Sequence, residues 1–536
     1  MNTLTSRPLA AGLADMDDRA LTLTAFLGFI AVSLLLCVLA GPEGDAADFY
    51  AGNRSLAPWQ NALALAGDYI SAATLLGACG LVAQAGYDGI SLAVSGCLAV
   101  GGILLLARPL RDAGCYTLGD IFALRAPGPA ARIAAAVATV AFCLPFLVLQ
   151  LAGAGKVTAL LLGFTSAGVQ QACTVFVGAV MIGFAVLGGM KGTSLVQILK
   201  VVVVLATLAL LAAVVLDHYH WRPGALLAAA AEGSGHPDGY FEPGTAMGST
   251  LTGRLDFFGL QLSIVLGVAC MPHIVMRLGT AVHGAAARRA TMYTVFVIAV
   301  YSLFVVIAGL GAAGIVGTSA IRAVDRDGQA ALMLLAAALE GDTGPGGGLI
   351  STVVACAVFV TVLALVAGIT LTAAATLAHD VHVHVVYRGQ FSSRGEVRTA
   401  RWTAAAVGSV GILLSMAVQQ SYLQSLVHLS LTLAASTVLP ACLYTLFWKR
   451  YDRTGLLWTV YGGLLCTLAL YVASTAFSGT PASLLPDFDI HILPLQSPGL
   501  IAIPAGFTLG WAGSLGIGRR GARPPAVRAP APGVTS

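Results

Sequence analysis

About thirteen stretches of this chain are long and apolar enough to cross a bilayer, at about 20 apolar residues per crossing, and little but loops is left between them. They lie near 20–40, 59–83, 89–107, 133–162, 169–189, 194–216, 256–276, 292–316, 349–378, 402–418, 423–447, 456–476 and 498–516. Backbone in hydrocarbon must satisfy its own hydrogen bonds, so runs of this length cross as helices. The chain therefore reads as an all-α polytopic membrane protein. Its charged content agrees: 10% of 536 residues, where soluble domains carry about 25%. The ten cysteines are scattered singly, so neither disulfides nor a transition-metal site is implied. No basic n-region precedes the first apolar run, and no cleaved signal peptide is read. The chain shows no phosphate-binding loop and no nucleophile–base constellation, so ATP-driven transport, enzyme activity and nucleic-acid binding have no motif to support them.

Cationic loop residues set the orientation. With the N-terminus outside, the inner segments collect Arg108, Arg111, Arg125, Arg132, Lys191, Arg277, Arg288, Arg289, Arg388, Arg394, Arg398, Arg401, Lys449, Arg450 and Arg453. The outer segments keep scattered arginines, mostly beside acids. This predicts an outer N-terminal tail (1–19), a membrane domain (20–516) and a disordered inner tail (517–536), the last rich in Pro and Ala.

Two spans are interrupted. Asn61–Gly80 carries Gly67-Asp68 at its middle, where an ionisable side chain costs roughly 3 kcal/mol or more. Five spans later, 256–276 is broken by Gly267 and Pro272. Five is odd, so two five-helix units beginning at these breaks (58–216 and 256–447) have opposite topology. Paired interruptions of this kind mark an inverted-repeat transporter with its site between them.

At this point the residues resemble a known family. DFYAGNRSLAPWQNALALAGDYISAATLLG at 48–77, LQLAGAGK at 149–156, GGMKGTSLVQILK at 188–200, MPHIVMRLGT at 271–280 and VVYRG after the ninth span are similar to the sodium:solute symporter family. AGYDG at 85–89 and the run LALVAGITL…AHD at 363–380 look most like its acetate permeases. The resemblance implies a leucine-transporter-type core in spans two to eleven, with one extra helix before and two after. It also implies uptake of a short monocarboxylate driven by a cation gradient.

In that family, carbonyls of the first unwound segment help hold sodium. By position they come from around Ala66, Gly67 and Tyr69, with Ile70 close by. Asp68 reads either as a structural acid tying down the unwound backbone or as a group beside, or protonating at, the cation site. The ninth span normally adds a pair of hydroxyls. Counting back from Asp380, the equivalent positions read Ala364 and Leu365, with Thr361 and Thr370 the nearest hydroxyls. Either a threonine one turn away substitutes, or protons drive transport through Asp68. The substrate carboxylate is expected between the breaks, near Gly67, Ser71, Gly267 and Pro272, where a half-helix offers free N–H groups. Phe146 and Gln150 face the same cavity by the family's pattern. His273 reads as a structural group or as an inner gate and proton relay. Arg277 reads as an interfacial anchor, and Lys191 and Lys200 as loop anchors, although Lys200 starts well inside its span.

The expectation is a symporter for acetate, propionate or pyruvate in a bacterial plasma membrane. It works by alternating access, without a cofactor, with Na+ or H+ as coupling ion. Its partners are the monocarboxylate, the cation and the lipid bilayer. Another small organic solute such as an amino acid, or a sensor that does not transport, are the rival readings.

Overall fold

The computed structural model describes residues 16–41, 45–164, 166–244, 246–248, 250–340, 348–419, 423–480 and 483–516. Most of the expected N-terminal tail and the whole of 517–536 lie outside them. The described residues form helices and a few isolated β-bridges. Among the described residues, nine helices are long and apolar enough to cross a membrane, and a tenth if one bent pair counts as a single span. The expected thirteen is not reached on length alone. Ala167–His218 runs as one 52-residue helix that kinks at Gly189 (φ 52°), where the sequence divided two spans. The flanking apolar helix Gly499–Ser514 is short for a crossing.

The bundle has its apolar residues on the outside as well. Val38, Leu98, Leu105, Phe296, Trp402, Leu413 and Leu465 are all exposed. In water such a surface would be a liability; against lipid it is the required face. Leu349–Ala375, apolar all round, is sheathed by Ala167–His218 and Pro129–Leu161, as a helix without a polar face must be. Small residues set the closest approaches. Gly188 and Gly192, four apart on the kinked helix, both lie against Cys37 of Met16–Leu39.

Both interruptions are present. The first broken helix runs Pro58–Tyr69, passes through extended Ile70 and restarts in the π turn Ala73–Gly77 and Ala78–Ala85, bent by 71°. The second runs Leu251–Val268, breaks over 269–271 and restarts as Pro272–Leu278. The break falls after Gly267, not at it. Pro272 sits in the first turn of the new segment, where its missing N–H costs nothing.

The loops separate into two ends. At one, Arg54 donates to the Gly114 carbonyl, Arg111 to those of Ala281 and Val282, and Arg125 to that of Thr445. This is the Arg-rich end. At the other, Gln84 donates to the Arg326 carbonyl, Gly244 N–H to Asp88, and Tyr87 N–H to the Tyr240 carbonyl. The loops assigned to one side by charge thus meet at one end of the bundle.

Candidate functional site

The two broken helices meet in a dry cluster of charge. Asp68, in the last turn of Pro58–Tyr69, and Arg277, in Pro272–Leu278, form an ion pair with side chains 0% and 1% exposed. Arg277 Nε reaches Asp68 Oδ2, and its Nη2 donates to Oδ1 at 3.1 Å, a two-pronged contact that only a guanidinium makes. Its Nη1 donates to Ser194 Oγ on the kinked helix. Gln197, one turn on, donates to Asp68 Oδ1 at 2.9 Å and to the Ala364 carbonyl at 3.2 Å. Three residues further, Lys200 is 0% exposed and its Nζ donates to the carbonyls of Gly67 and of Ile70, the latter at 2.9 Å. Ser194, Gln197 and Lys200 recur at helical spacing and so present one face to the break.

Three sequence expectations change here. Arg277 is not an interfacial anchor; its charge is neutralised by Asp68 in the core. Lys200 is not a loop anchor; its ammonium caps the C-terminal carbonyls of a half-helix, the negative end of the dipole. His273, read with the inner end of its span, lies instead in the first turn of the restarted segment Pro272–Leu278. It is 2% exposed at the second break, its ring lies against the Asp68 backbone, and it stacks on Phe142 and Phe146 at 5.9 and 6.1 Å.

Beside this cluster lies a cavity of about 380 Å³, walled by the first broken helix, Leu251–Val268 and Gln424–Leu433. Asp68, Tyr69, Ser71 and Phe146 line it. Ala66, Gly67, Gln150, Gly267, Pro272, Thr361, Ala364 and Thr370 do not. Gly67 is instead packed on Gln197, and a methyl at Gly267 would run into the Leu431 carbonyl; both glycines allow helices to approach closely. Gln150 is 4% exposed away from the cavity. Thr361 donates to the Ala357 carbonyl of its own helix at 2.7 Å, and Thr370 is fully buried elsewhere. The expected free N–H groups at the restart are partly taken: Ser71 N–H donates to Thr74 Oγ1 at 2.8 Å, and Thr74 N–H to Ser71 Oγ at 3.2 Å. Tyr301, Ser302, Thr74 and His428 line the cavity too, and sequence reasoning missed them. Apart from Thr74, on the restart of the first broken helix, they lie on helices whose polar residues read as ordinary packing.

The cavity reaches Gln84, Met247, Arg326 and Gln329 of the Arg-poor end. Toward the Arg-rich end stands a second charge network. Arg132 pairs with Asp120 at 2.9 Å and with Asp380 at 2.7 Å, and Thr117 donates to Asp380 at 2.8 Å. The ring nitrogens of His379 face Glu396 at 2.6 Å and Asp120 at 3.3 Å. Asp120, His379 and Asp380 place ligand atoms within 4.8 Å of one another, a grouping the sequence did not suggest. The guanidinium of Arg132 already supplies a cation there, which disfavours a metal ion.

The profile of the sodium:solute symporter family matches residues 49–463. The chain is 36% identical over 507 residues to a protein named monocarboxylic acid transporter from Corynebacterium glutamicum, covering 92% of this chain and 91% of that protein. It is 33% identical over 500 residues to a Bacillus subtilis (strain 168) protein named uncharacterized symporter YwcA, covering 92% and 94%. Among solved structures, a substrate-bound, outward-open Na+-coupled sialic acid symporter superposes with a TM-score of 0.69 at 13% identity, over 92% of this chain and 98% of that one. A nucleobase-cation-symport-1 family transporter in a closed conformation gives 0.52 at 14% identity, over 88% and 94%. At those identities the structures establish shared architecture, which is the all-α, leucine-transporter-type fold expected.

Proposed function

The chain belongs to the sodium:solute symporter family, and from that premise we propose that it imports acetate or a similar short monocarboxylate by cation-coupled symport. The observation that carries the substrate class is the charge beneath the cavity. Two side-chain cations, Lys200 and Arg277, stand against one carboxylate, Asp68, and of these three only Asp68 reaches the cavity wall. In a dry site that excess favours a small anion. The lining is mixed, with Phe146, Leu260, Ile264 and Val268 among Ser71, Thr74 and His428, and accommodates the alkyl and carboxylate ends of a short monocarboxylate. The name of the Corynebacterium glutamicum relative supports the same class.

In this reading the Arg-rich end faces the cytoplasm of a bacterium, with the N-terminus outside. The cavity then opens outward, and the Asp120–Arg132–Asp380–His379–Glu396 network closes the inner side. Tyr69, Ser71 and Phe146 contact the substrate, and transport breaks the network while the outer mouth closes. The test is uptake of labelled acetate into proteoliposomes under imposed sodium or pH gradients. Protein-free vesicles correct for passive entry of the neutral acid. Saturable accumulation, reduced by propionate and pyruvate but not by amino acids, is the expected result. Stronger competition by an amino acid would sink the substrate assignment.

A further inference from the structure

The family's name and its expected sodium position raise a question of fit at the first break. A sodium ion needs oxygen acceptors turned toward it. Around this break side-chain donors occupy the carbonyls, and the buried acceptor left without a hydrogen-bond partner beside Gly67, among the described residues, is Gln197 Oε1. Lys200 Nζ holds the Gly67 and Ile70 carbonyls, and Gln197 Nε2 holds the Ala364 carbonyl across on Leu349–Ala375. The hydroxyl of Thr361 is spent on its own helix, and that of Thr370 has no hydrogen-bond partner among the described residues. The charged and titratable groups facing Lys200 are Asp68, whose carboxylate is engaged by Arg277 and Gln197, Arg277 itself, and His273 behind the Asp68 backbone. The helix Leu349–Ala375 contributes no charge there: its face toward Asp68 is Gly368.

We propose that the Lys200 ammonium takes the place of the sodium ion at the break of the first helix, so that this position binds no sodium. An ammonium carries the same unit charge as sodium and bonds to the same kind of carbonyl. Both cannot sit there at once, because two unit charges in contact in a dry site repel strongly. Lys200 is thereby an ion-specificity residue: it turns a mobile coupling ion into a tethered one. This rests on the symporter reading for the identity of the position, but binding can be measured without any substrate.

The experiment is thermal unfolding of the purified protein in detergent while sodium chloride replaces choline chloride at constant ionic strength. The wild-type midpoint should not move. Lys200→Ala leaves the two carbonyls bare and should gain a saturable, sodium-specific rise of roughly 3–5 °C at sodium well above its Kd. A saturable sodium-specific rise in the wild type overturns the proposal, and so does a well-folded Lys200→Ala that gains none. If Lys200→Ala does not fold, Lys200→Ser, which restores an oxygen, is read in the same way, and the wild-type arm decides on its own. Acetate counterflow in the same preparation separates the two readings. A sodium-blind wild type with a sodium-responsive variant supports the role of Lys200 even where no acetate exchanges, an outcome that would remove only the substrate assignment.

Discussion

The two buried charge networks differ in which sign is in excess. At the broken helices Lys200 and Arg277 face the single carboxylate of Asp68, and the surplus is absorbed by backbone carbonyls. Near the Arg-rich end Asp120, Asp380 and Glu396 face Arg132 and His379, an excess of acid in which Asp380 Oδ2 has no hydrogen-bond partner among the described residues. The first network ties four helices together beside a cavity: Pro58–Tyr69, Pro272–Leu278, Ala167–His218 and, through the Ala364 carbonyl, Leu349–Ala375. The second is a cross-brace among Leu118–Ala123, Pro129–Leu161, Leu349–Ala375 with its extension to Val386, and Ser393–Ala417, with one carboxylate more than its cations. In the proposed reading the cation-rich site takes the anion, and the acid-rich brace holds and releases a gate.

The contrast breaks most sharply at Arg277. Removing it takes away the ion-pair partner of Asp68 in a dry core and leaves only the Gln197 hydrogen bond and the more distant Lys200 charge, a loss of about 3–5 kcal/mol. Arg277→Ala should therefore express poorly and melt well below the wild type. Adding Asp68→Asn should restore part of that loss, because the orphaned charge goes with it. Equal instability of the single and double variants in thermal denaturation would show that the pair is not the source. Asp68→Asn alone should insert in the membrane yet abolish coupled uptake, and full uptake would remove Asp68 from the mechanism.

Much of this centre was legible beforehand. The same rule that singled out Asp68, an ionisable group at mid-span, applied equally to Lys200, yet Lys200 was read with its loop. Arg277 was hidden for a different reason: Pro272 starts a new segment, and seven residues later the chain reaches the Arg-rich end, so a cation there looks interfacial. The breaks and Ser71 and Phe146 on the cavity wall followed from hydropathy and from the resemblance. The brace did not. Asp120, Arg132, His379, Asp380 and Glu396 come from four separate segments, and no spacing in one segment announces a contact between them.

At the brace the expected losses are smaller, since each group keeps other partners. Arg132→Gln leaves two carboxylates facing each other and should cost about 1–3 kcal/mol of stability. It should also raise the reactivity of half-buried Cys115 toward a thiol reagent applied from the Arg-rich side. Unchanged labelling would show that the brace does not close that end. Asp120 adds a pH test. Burial alone would raise its carboxyl, but His379, the Tyr116 N–H and Arg132 together hold it well below the ordinary carboxylate range. A depressed value means its contribution is full above the ordinary carboxylate pKa and is lost as pH falls through the lowered one. The stability gap between wild type and Asp120→Asn should therefore stay constant from pH 8 to 5 and shrink only in stronger acid, below about pH 4. A gap that closes between pH 7 and 5 would contradict the assignment.

The smallest effect sharpens the comparison at its centre. Thr361 is one of the two threonines that the sequence offers, as an alternative to proton drive, to stand in for a missing cation ligand, but its hydroxyl is bonded to the Ala357 carbonyl one turn back in its own helix. That carbonyl already accepts within the helix, so the hydroxyl adds little. Thr361→Val keeps the shape and removes only the oxygen, at a cost within about 1 kcal/mol. Uptake in proteoliposomes should stay within roughly twofold of the wild type. If Thr361→Val instead abolished accumulation while Lys200→Ala left it intact, the unbalanced centre would need a mobile cation after all, and the tethered ammonium would be only a structural cap.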